Sequence, residues 1–580
     1  MASLVGVVRK WAEVDPEFRV FDFLSDLDAI EASATYAELD RAARRVAAYL
    51  TTLEARGERV LLLFPPGKRY VEAFLGCLYA GAIAVPAYPP TSEGSMSRIR
   101  SITIDSGARF ALTTDSVFER KELLEQMAPE LAAVHWVVIE QIAAGSENFW
   151  EDPALPGEAL AFLQYTSGST GTPKGVMVSH ENLFDNLLRI NERLGLTRAD
   201  RAFTWLPPYH DMGLIGGILQ GIYAGYHTFI ASPMWFSRRP ERWLQRIATE
   251  RISVSGAPNF AFNLCVERHR KLGNTAQMDL SCWRMAYMGA EPVRAATLRE
   301  FMDCFGPLGF RESALCPLYG MAEATLMISG DGPGSAIQTT LVDKERYAEG
   351  VVQSADAKRA MELVGCGAVV SGHHLAIVDP ERGVRAAEGR VGEIWFAGPS
   401  VTRGYWGGHP EQVNFEGLLR DAGPDDFRGP YLRTGDLGFV RDGQLFIAGR
   451  IKDTIVVRGR KHHPQDLEQT AQACHPRLLY GRGAAFAIDF EGSEQVVLAQ
   501  EVAPGEFSAT EVGQAVDRAV SLSHGIYVHT VCFLKNRTLP KTSSGKVCRA
   551  ETRQAFLADR LQLAGTWTNP RNAGQNARLG

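Results

Sequence analysis

The 580 residues carry 61 lysines and arginines against 67 aspartates and glutamates, and the resulting net charge of −6 leaves no electrostatic footprint for a nucleic-acid partner. With 45% hydrophobic and 22% charged residues the composition is that of a soluble globular protein, and the length exceeds what one core can organise, so two or more domains are expected. The nine cysteines are scattered and never form a Cys-x-x-Cys pair, which fits free thiols in a reducing cytoplasm better than disulfides or a zinc site. No apolar run is long enough to span a membrane, and Arg9, Lys10, Glu13, Asp15 and Glu17 interrupt any N-terminal signal core.

In chain order, short apolar segments alternate with helical patterns. Arg59–Phe64, Ala82–Val85, Phe110–Leu112, Val134–Ile139, Ile252–Ser255 and Met285–Met288 read as strands, with helical spacing over Tyr70–Tyr79 and Pro240–Arg251. That alternation predicts an α/β fold of layered, parallel sheets. After the apolar run Leu160–Leu163, residues 165–175 read Tyr-Thr-Ser-Gly-Ser-Thr-Gly-Thr-Pro-Lys-Gly. Glycines admit an anion close to the backbone, hydroxyls and N–H groups donate to it, and Lys174 adds charge, so this loop suits phosphate. It is not a Walker A box, because Lys174 is followed by Gly175 and Val176 rather than Ser or Thr.

Gly213, Gly216, Gly217, Gly221 and Gly225 stand among apolar residues over 205–225, where missing side chains either leave room for an alkyl tunnel or serve close helix packing. Residues 338–363 form a charged stretch that composition alone does not separate from an idle surface loop. From about 360 the texture turns to glycine-punctuated strands, Gly392–Ala397 and Gly443–Ala448, which predicts a smaller β-rich subdomain over 360–449. A boundary near 449–453 separates a large N-terminal domain (1–449) from a compact α+β C-terminal domain (450–566), and a mobile polar tail is expected from Trp567 (567–580).

Six further segments accompany the phosphate loop in fixed order: Trp205–Gly213 (Trp-Leu-Pro-Pro-Tyr-His-Asp-Met-Gly), Gly289-Ala-Glu-Pro292, Tyr319-Gly-Met-Ala-Glu323, Tyr431–Asp436 (Tyr-Leu-Arg-Thr-Gly-Asp), Gly449-Arg-Ile-Lys-Asp453 and Leu539–Lys546 (Leu-Pro-Lys-Thr-Ser-Ser-Gly-Lys). Over nearly its whole length the chain therefore resembles the adenylate-forming superfamily of acyl-CoA synthetases, peptide-synthetase adenylation domains and luciferases. The resemblance implies a ligase that joins a carboxylate to the α-phosphate of ATP with Mg²⁺, a reaction that demands cations and donors around a crowded phosphorus. By the same resemblance Thr166, Ser167, Gly168, Ser169, Thr170, Gly171 and Lys174 hold the β- and γ-phosphates, and Glu323 is the magnesium carboxylate. Gly289, Ala290 and Glu291 line the adenine edge, Tyr319 stacks on the base within Gly320, Met321 and Ala322 of the same motif, and Asp436 and Arg450 bind the ribose hydroxyls. Lys546 bridges the carboxylate and the α-phosphate, His210 gates the acyl carbonyl, and Lys452 is the hinge on which the C-terminal domain swings. Ala322 stands where the superfamily often has threonine.

Ala84–Pro90, Gly256–Ala261, Tyr319–Thr325 and Val457–Glu468 resemble the fatty acyl-AMP ligase branch, as does the stretch 338–363, which matches that branch's insertion opposing the rotation needed for CoA chemistry. Lys461 and His463 depart from the branch's usual asparagine and tyrosine. The branch implies a fatty acid as substrate and an acyl carrier protein, or a polyketide or peptide synthase carrier domain, as acceptor. The alternatives are a fatty acyl-CoA synthetase and an adenylating enzyme for another carboxylic acid.

Overall fold

A computed structural model describes residues 3–570 apart from 89, 91–92, 168–172, 274–277, 357–358, 410–413, 425, 458–459, 491–492 and 543–544. Two large sheets dominate it. In one, strands His135–Val138, Phe110–Thr113, Arg59–Leu63, Ile83–Pro86 and Leu160–Ser167 run parallel in that order, and Pro173–Ser179 closes the edge antiparallel. Arg59–Leu63 shows why: Val60 and Leu62 enter one apolar core and Leu61 and Leu63 another, so both faces are covered, as a parallel sheet requires. The second sheet has nine strands, with Leu315–Gly320, Met285–Met288, Val254–Ala257, Arg201–Thr204, His227–Ile230 and Arg19–Leu24 parallel at its centre.

Helices Tyr36–Thr52 and Lys68–Ala80 belong to the same core as these two sheets. Thr35 and Glu38 cap the first reciprocally, and every residue of the second from Tyr70 to Ala80 is buried. Gly76 lets them meet, since a Cβ there would lie 2.4 Å from the Val46 side chain. A four-stranded antiparallel sheet, His374–Val378, Gly392–Ala397, Leu432–Arg441 and Gln444–Arg450, packs one face on this core. Beyond it, strands Leu478–Phe490, Ser493–Val502, Val528–Leu534 and Leu563–Thr568 form a sheet with its own cores on its two faces.

Several expectations shift. Antiparallel strands border the parallel ones in both large sheets, so the sheets are mixed. The strand expected over 252–255 begins at Val254, because Ile252 still donates its N–H to the Ile247 carbonyl at the end of the preceding helix. Residues 338–363 are not a loop: Thr339–Asp343 pairs antiparallel with Ala360–Val364, and helix Lys344–Ala348 lies between. The tail does not start at Trp567, which is buried, pairs with Val531 and packs on Gly513. Residues 571–580 of that tail lie outside the described residues.

The glycines of 205–225 divide between the two roles. An added Cβ would lie 2.1 Å from the Pro207 carbonyl oxygen at Gly213, 2.8 Å from Thr204 at Gly217, 2.6 Å from Thr228 at Gly221 and 2.9 Å from Trp11 at Gly225. Those four serve packing, whereas Gly216 meets only the Leu326 side chain, at 3.3 Å, and lines a cavity. Gly213→Ala should therefore destabilise the protein by about 1–3 kcal/mol, since backbone cannot give way. Gly216→Ala should leave the thermal unfolding midpoint unchanged, and equal losses in the two melts would refute this division of roles.

Candidate active site

A cavity of about 1880 Å³ opens between the two large sheets' loop ends, the four-stranded sheet and the C-terminal unit. One end of it is built on Asp436 and Arg450, which face each other as cross-strand partners next to the turn at 451–453. Arg450 Nε donates to Asp436 Oδ1 at 2.9 Å, and the Tyr319 hydroxyl donates to Asp436 Oδ2 at 2.7 Å. The carboxylate is 6% exposed, and the guanidinium beside it is held above its ordinary range chiefly by that charge. Strand Leu315–Gly320 delivers Tyr319, and Gly320 is required there because a Cβ would lie 1.8 Å from the Leu326 carbonyl.

Met321, Ala322 and Glu323 follow in a tight turn that ends at Thr325, whose φ of 67° is in the left-handed region. Glu323 is buried, which pushes its carboxyl up, and the Tyr405 hydroxyl opposes this by donating to Oε1 at 2.7 Å. Lys174 stands on strand Pro173–Ser179, opposite Thr166, with its Nζ 5.5 Å from the Tyr405 ring centre. Gly168, Ser169, Thr170 and Gly171 lie outside the described residues, as does the side chain of Ser167.

Gly289, Ala290 and Glu291 follow strand Met285–Met288 and line the cavity, with Ala290 at φ 66°. Glu291 Oε1 accepts the Phe260 N–H at 2.6 Å and so satisfies the first turn of helix Asn259–Leu272.

Lys546 enters from the C-terminal unit on a tight loop. Lys541 bridges to Val547, the Thr542 N–H donates to the Lys546 carbonyl at 2.7 Å, and Gly545 takes φ 85° within reach of the Phe260 ring. Burial lowers the lysine's pKa, while Asp211 and Glu291 act against that shift. His210, wedged beside Tyr209 and Tyr88, is pushed down to about 3 by burial and then by the charges of Lys546 and Arg98, so its ring is neutral at pH 7. Lys452 also lines the cavity, next to Asp453, which pairs with Arg549 at 3.8 Å. The sequence reading missed Tyr405 and the role of Asp211. Neither carries a local signal, since each acquires its partner, Glu323 or Lys546, only through the fold.

These features can be set beside known proteins. Residues 8–406 match the AMP-binding enzyme family, and residues 452–566 match the Disco-interacting protein 2-like AMP domain. The chain belongs to the AMP-binding enzyme family. It is 38% identical over 572 residues to the medium-chain-fatty-acid–[acyl-carrier-protein] ligase JamA of Moorena producens, covering 97% of this chain and 96% of that one. It is 34% identical to the long-chain-fatty-acid–AMP ligase FadD32 of Mycolicibacterium smegmatis, covering 97% and 95%. The structure of the fatty acyl-adenylate ligase of Legionella pneumophila in complex with acyl adenylate and pyrophosphate matches with a TM-score of 0.75 at 37% identity, over 98% of both chains.

Asp436→Ala removes the common partner of Tyr319 and Arg450. Affinity for AMP, measured by calorimetry, should fall ten- to a hundredfold, the worth of a charged hydrogen bond. Unchanged affinity would remove Asp436 from the nucleotide site.

Proposed function

We propose that the protein is a fatty acyl-AMP ligase that uses ATP and Mg²⁺ to convert a fatty acid to its acyl adenylate and passes the acyl group to the phosphopantetheine thiol of a carrier protein or carrier domain. The observation that carries this reading is Lys546, brought from the C-terminal unit into a cavity bounded by His210 and Asp211 on one side and the Tyr319–Asp436–Arg450 network on the other. The family match and the likeness to the two fatty-acid ligases support it. A cytoplasmic location accords with cysteines that are all unpaired. No helix among the described residues is long and apolar enough to cross a membrane.

In the first step a carboxylate oxygen attacks the α-phosphorus and the bond to the bridging oxygen breaks, releasing pyrophosphate. Lys546 holds the two anions together and stabilises the charge gathered on phosphorus. The carboxylates of Asp211 and Glu291 favour its cationic form against burial. His210, being neutral, offers the acyl group a polar edge without competing for the lysine's role. Thr166 and Lys174 flank the departing pyrophosphate, and Asp436 with Arg450 fixes the ribose. In the second step the carrier thiolate attacks the acyl carbonyl and AMP leaves.

Glu323 fits Mg²⁺: it is a buried hard-oxygen donor at the cavity wall with one oxygen hydrogen-bonded to Tyr405. Glu323 would hold the ion, which would supply neutralising charge for the phosphates. We assign residues 1–449 to an adenylating domain and the units beyond to a mobile C-terminal domain hinged at Lys452. The gap between the two family matches, 406 to 452, and the separate apolar cores support that division.

The ribbon 339–364 supports a carrier rather than a CoA acceptor. Its helix seats the buried Tyr347 5.8 Å from the His463 ring, and Lys344 lies near Asp466, whose carboxyl burial pushes up to about 7. These contacts tether the C-terminal unit in the adenylating arrangement.

Lys546→Ala should cut ATP–pyrophosphate exchange a hundredfold or more while ATP affinity stays within a few-fold, the pattern of a lost transition-state contact. Weakened ATP binding would give the residue a different role. Mass spectrometry of products formed from ATP and fatty acids, with carrier protein or CoA, should show acyl adenylate and acylated carrier. Acyl-CoA as the main product would favour the CoA synthetase.

A further inference from the structure

The loop that carries Lys546 into the cavity rests on a side chain of the other unit. Gly545, directly before the lysine, takes φ 85°, and a Cβ there would lie 3.2 Å from Cζ and 3.3 Å from Cε1 of Phe260, so the loop backbone and the ring edge are in direct contact. Glycine suits this position twice over, since it tolerates the left-handed backbone and lets the ring come close. Phe260 is half-buried at the cavity wall, and Trp205 meets its ring edge-on with the centroids 6.4 Å apart.

Phe260 is the second residue of helix Asn259–Leu272, whose N-cap, Pro258, offers no side-chain bond. The first turn is held from outside the helix instead. Glu291 Oε1 accepts the Phe260 N–H at 2.6 Å, Asn259 Oδ1 accepts the Arg294 N–H at 3.1 Å, and Asn259 Nδ2 donates to Thr297 Oγ1 at 3.1 Å. Three hydrogen bonds thus fix the ring's backbone to the stretch 291–297. Other contacts between the units do not pass through the ring: Arg294 Nη1 donates to the Tyr480 hydroxyl at 3.3 Å, and Tyr347 lies against His463. Removing the ring therefore frees the Lys546 loop and leaves those contacts in place.

We propose that Phe260 is a positioning residue for Lys546: its ring, anchored by Glu291, stops the incoming loop where the lysine can meet the carboxylate and the α-phosphate together. This inference rests on reading the cavity as the site of acyl adenylation. The ring brings neither charge nor hydrogen bond to the reaction, so it acts through the backbone pressed on it. Bridging two anions is demanding in this respect, because a displacement of about 1 Å at a reacting centre costs up to about a hundredfold in rate.

The test is a double-mutant cycle on ATP–pyrophosphate exchange with a saturated fatty acid, using Phe260→Ala, Lys546→Ala and the two combined. Phe260→Ala should lower kcat about tenfold, with KM for ATP and for the fatty acid within about twofold of wild type. Phe260→Leu, which keeps an apolar body under the loop, should restore most of the rate. Once Lys546 is alanine, removing the ring should change nothing further, since no lysine is left to position. A Phe260→Ala protein with the wild-type kcat overturns the inference, and so does a rise in fatty-acid KM as its main effect. A loss that persists undiminished in the Lys546→Ala background overturns it as well, because the ring would then act on the substrate itself. AMP affinity by calorimetry checks folding, and should Phe260→Ala not fold, Phe260→Val takes its place in the same cycle. A failure of the underlying reading looks different: the wild-type protein would then show no exchange with any fatty acid.

Discussion

A carboxylate buried in a protein must have a counter-charge and donors, and in this structure that requirement falls on Asp436. Arg450 answers one oxygen and Tyr319 the other. The three come from two different sheets, so the pairing joins the nine-stranded sheet to the four-stranded one at the floor of the cavity. Arg450 is also the last residue of its strand, and the chain turns directly after it into the segment leading to the C-terminal unit. A single network thus joins one end of the cavity to the point where the connection to the second unit begins.

The second unit brings Lys546 to the cavity. Lys546 is presented by a loop stiffened with its own backbone hydrogen bonds and pressed against Phe260, and the same Phe260 N–H is anchored by Glu291. The lysine's position therefore depends on a contact between units as well as on its own loop. The ribbon 339–364 contributes a further contact, through Tyr347 against His463. Interfaces of this kind are small, and a unit held by a few such contacts can be released at modest cost.

The cavity sorts its titratable groups by burial and company. His210 is driven neutral, Asp211 and Glu323 are pushed up, and Lys546 is pushed down, each chiefly by loss of water. Acidic neighbours then offset part of the lysine's shift, and Tyr405 part of that of Glu323. In each of these groups burial favours the uncharged form, and Lys546 keeps acidic neighbours that oppose it.

Much was legible in the sequence. Strand Arg59–Leu63 could be read because the apolar run Val60–Leu63 suits a strand covered on both faces. The ordered motifs likewise single out Lys546, Glu323 and Asp436, and the fold brings the three to one cavity. Other features belonged to the tertiary structure. The glycines of 205–225 are the same residue in the sequence, and only the neighbours brought against them separate four packing positions from the open one at Gly216. Trp567 sits in a polar sequence and reads as tail, yet it is buried by a strand pairing with Val531. Tyr405 meets Glu323 across 82 residues. Local sequence specifies what a side chain can do; which partner it meets, or fails to meet, is a matter of long-range register and packing.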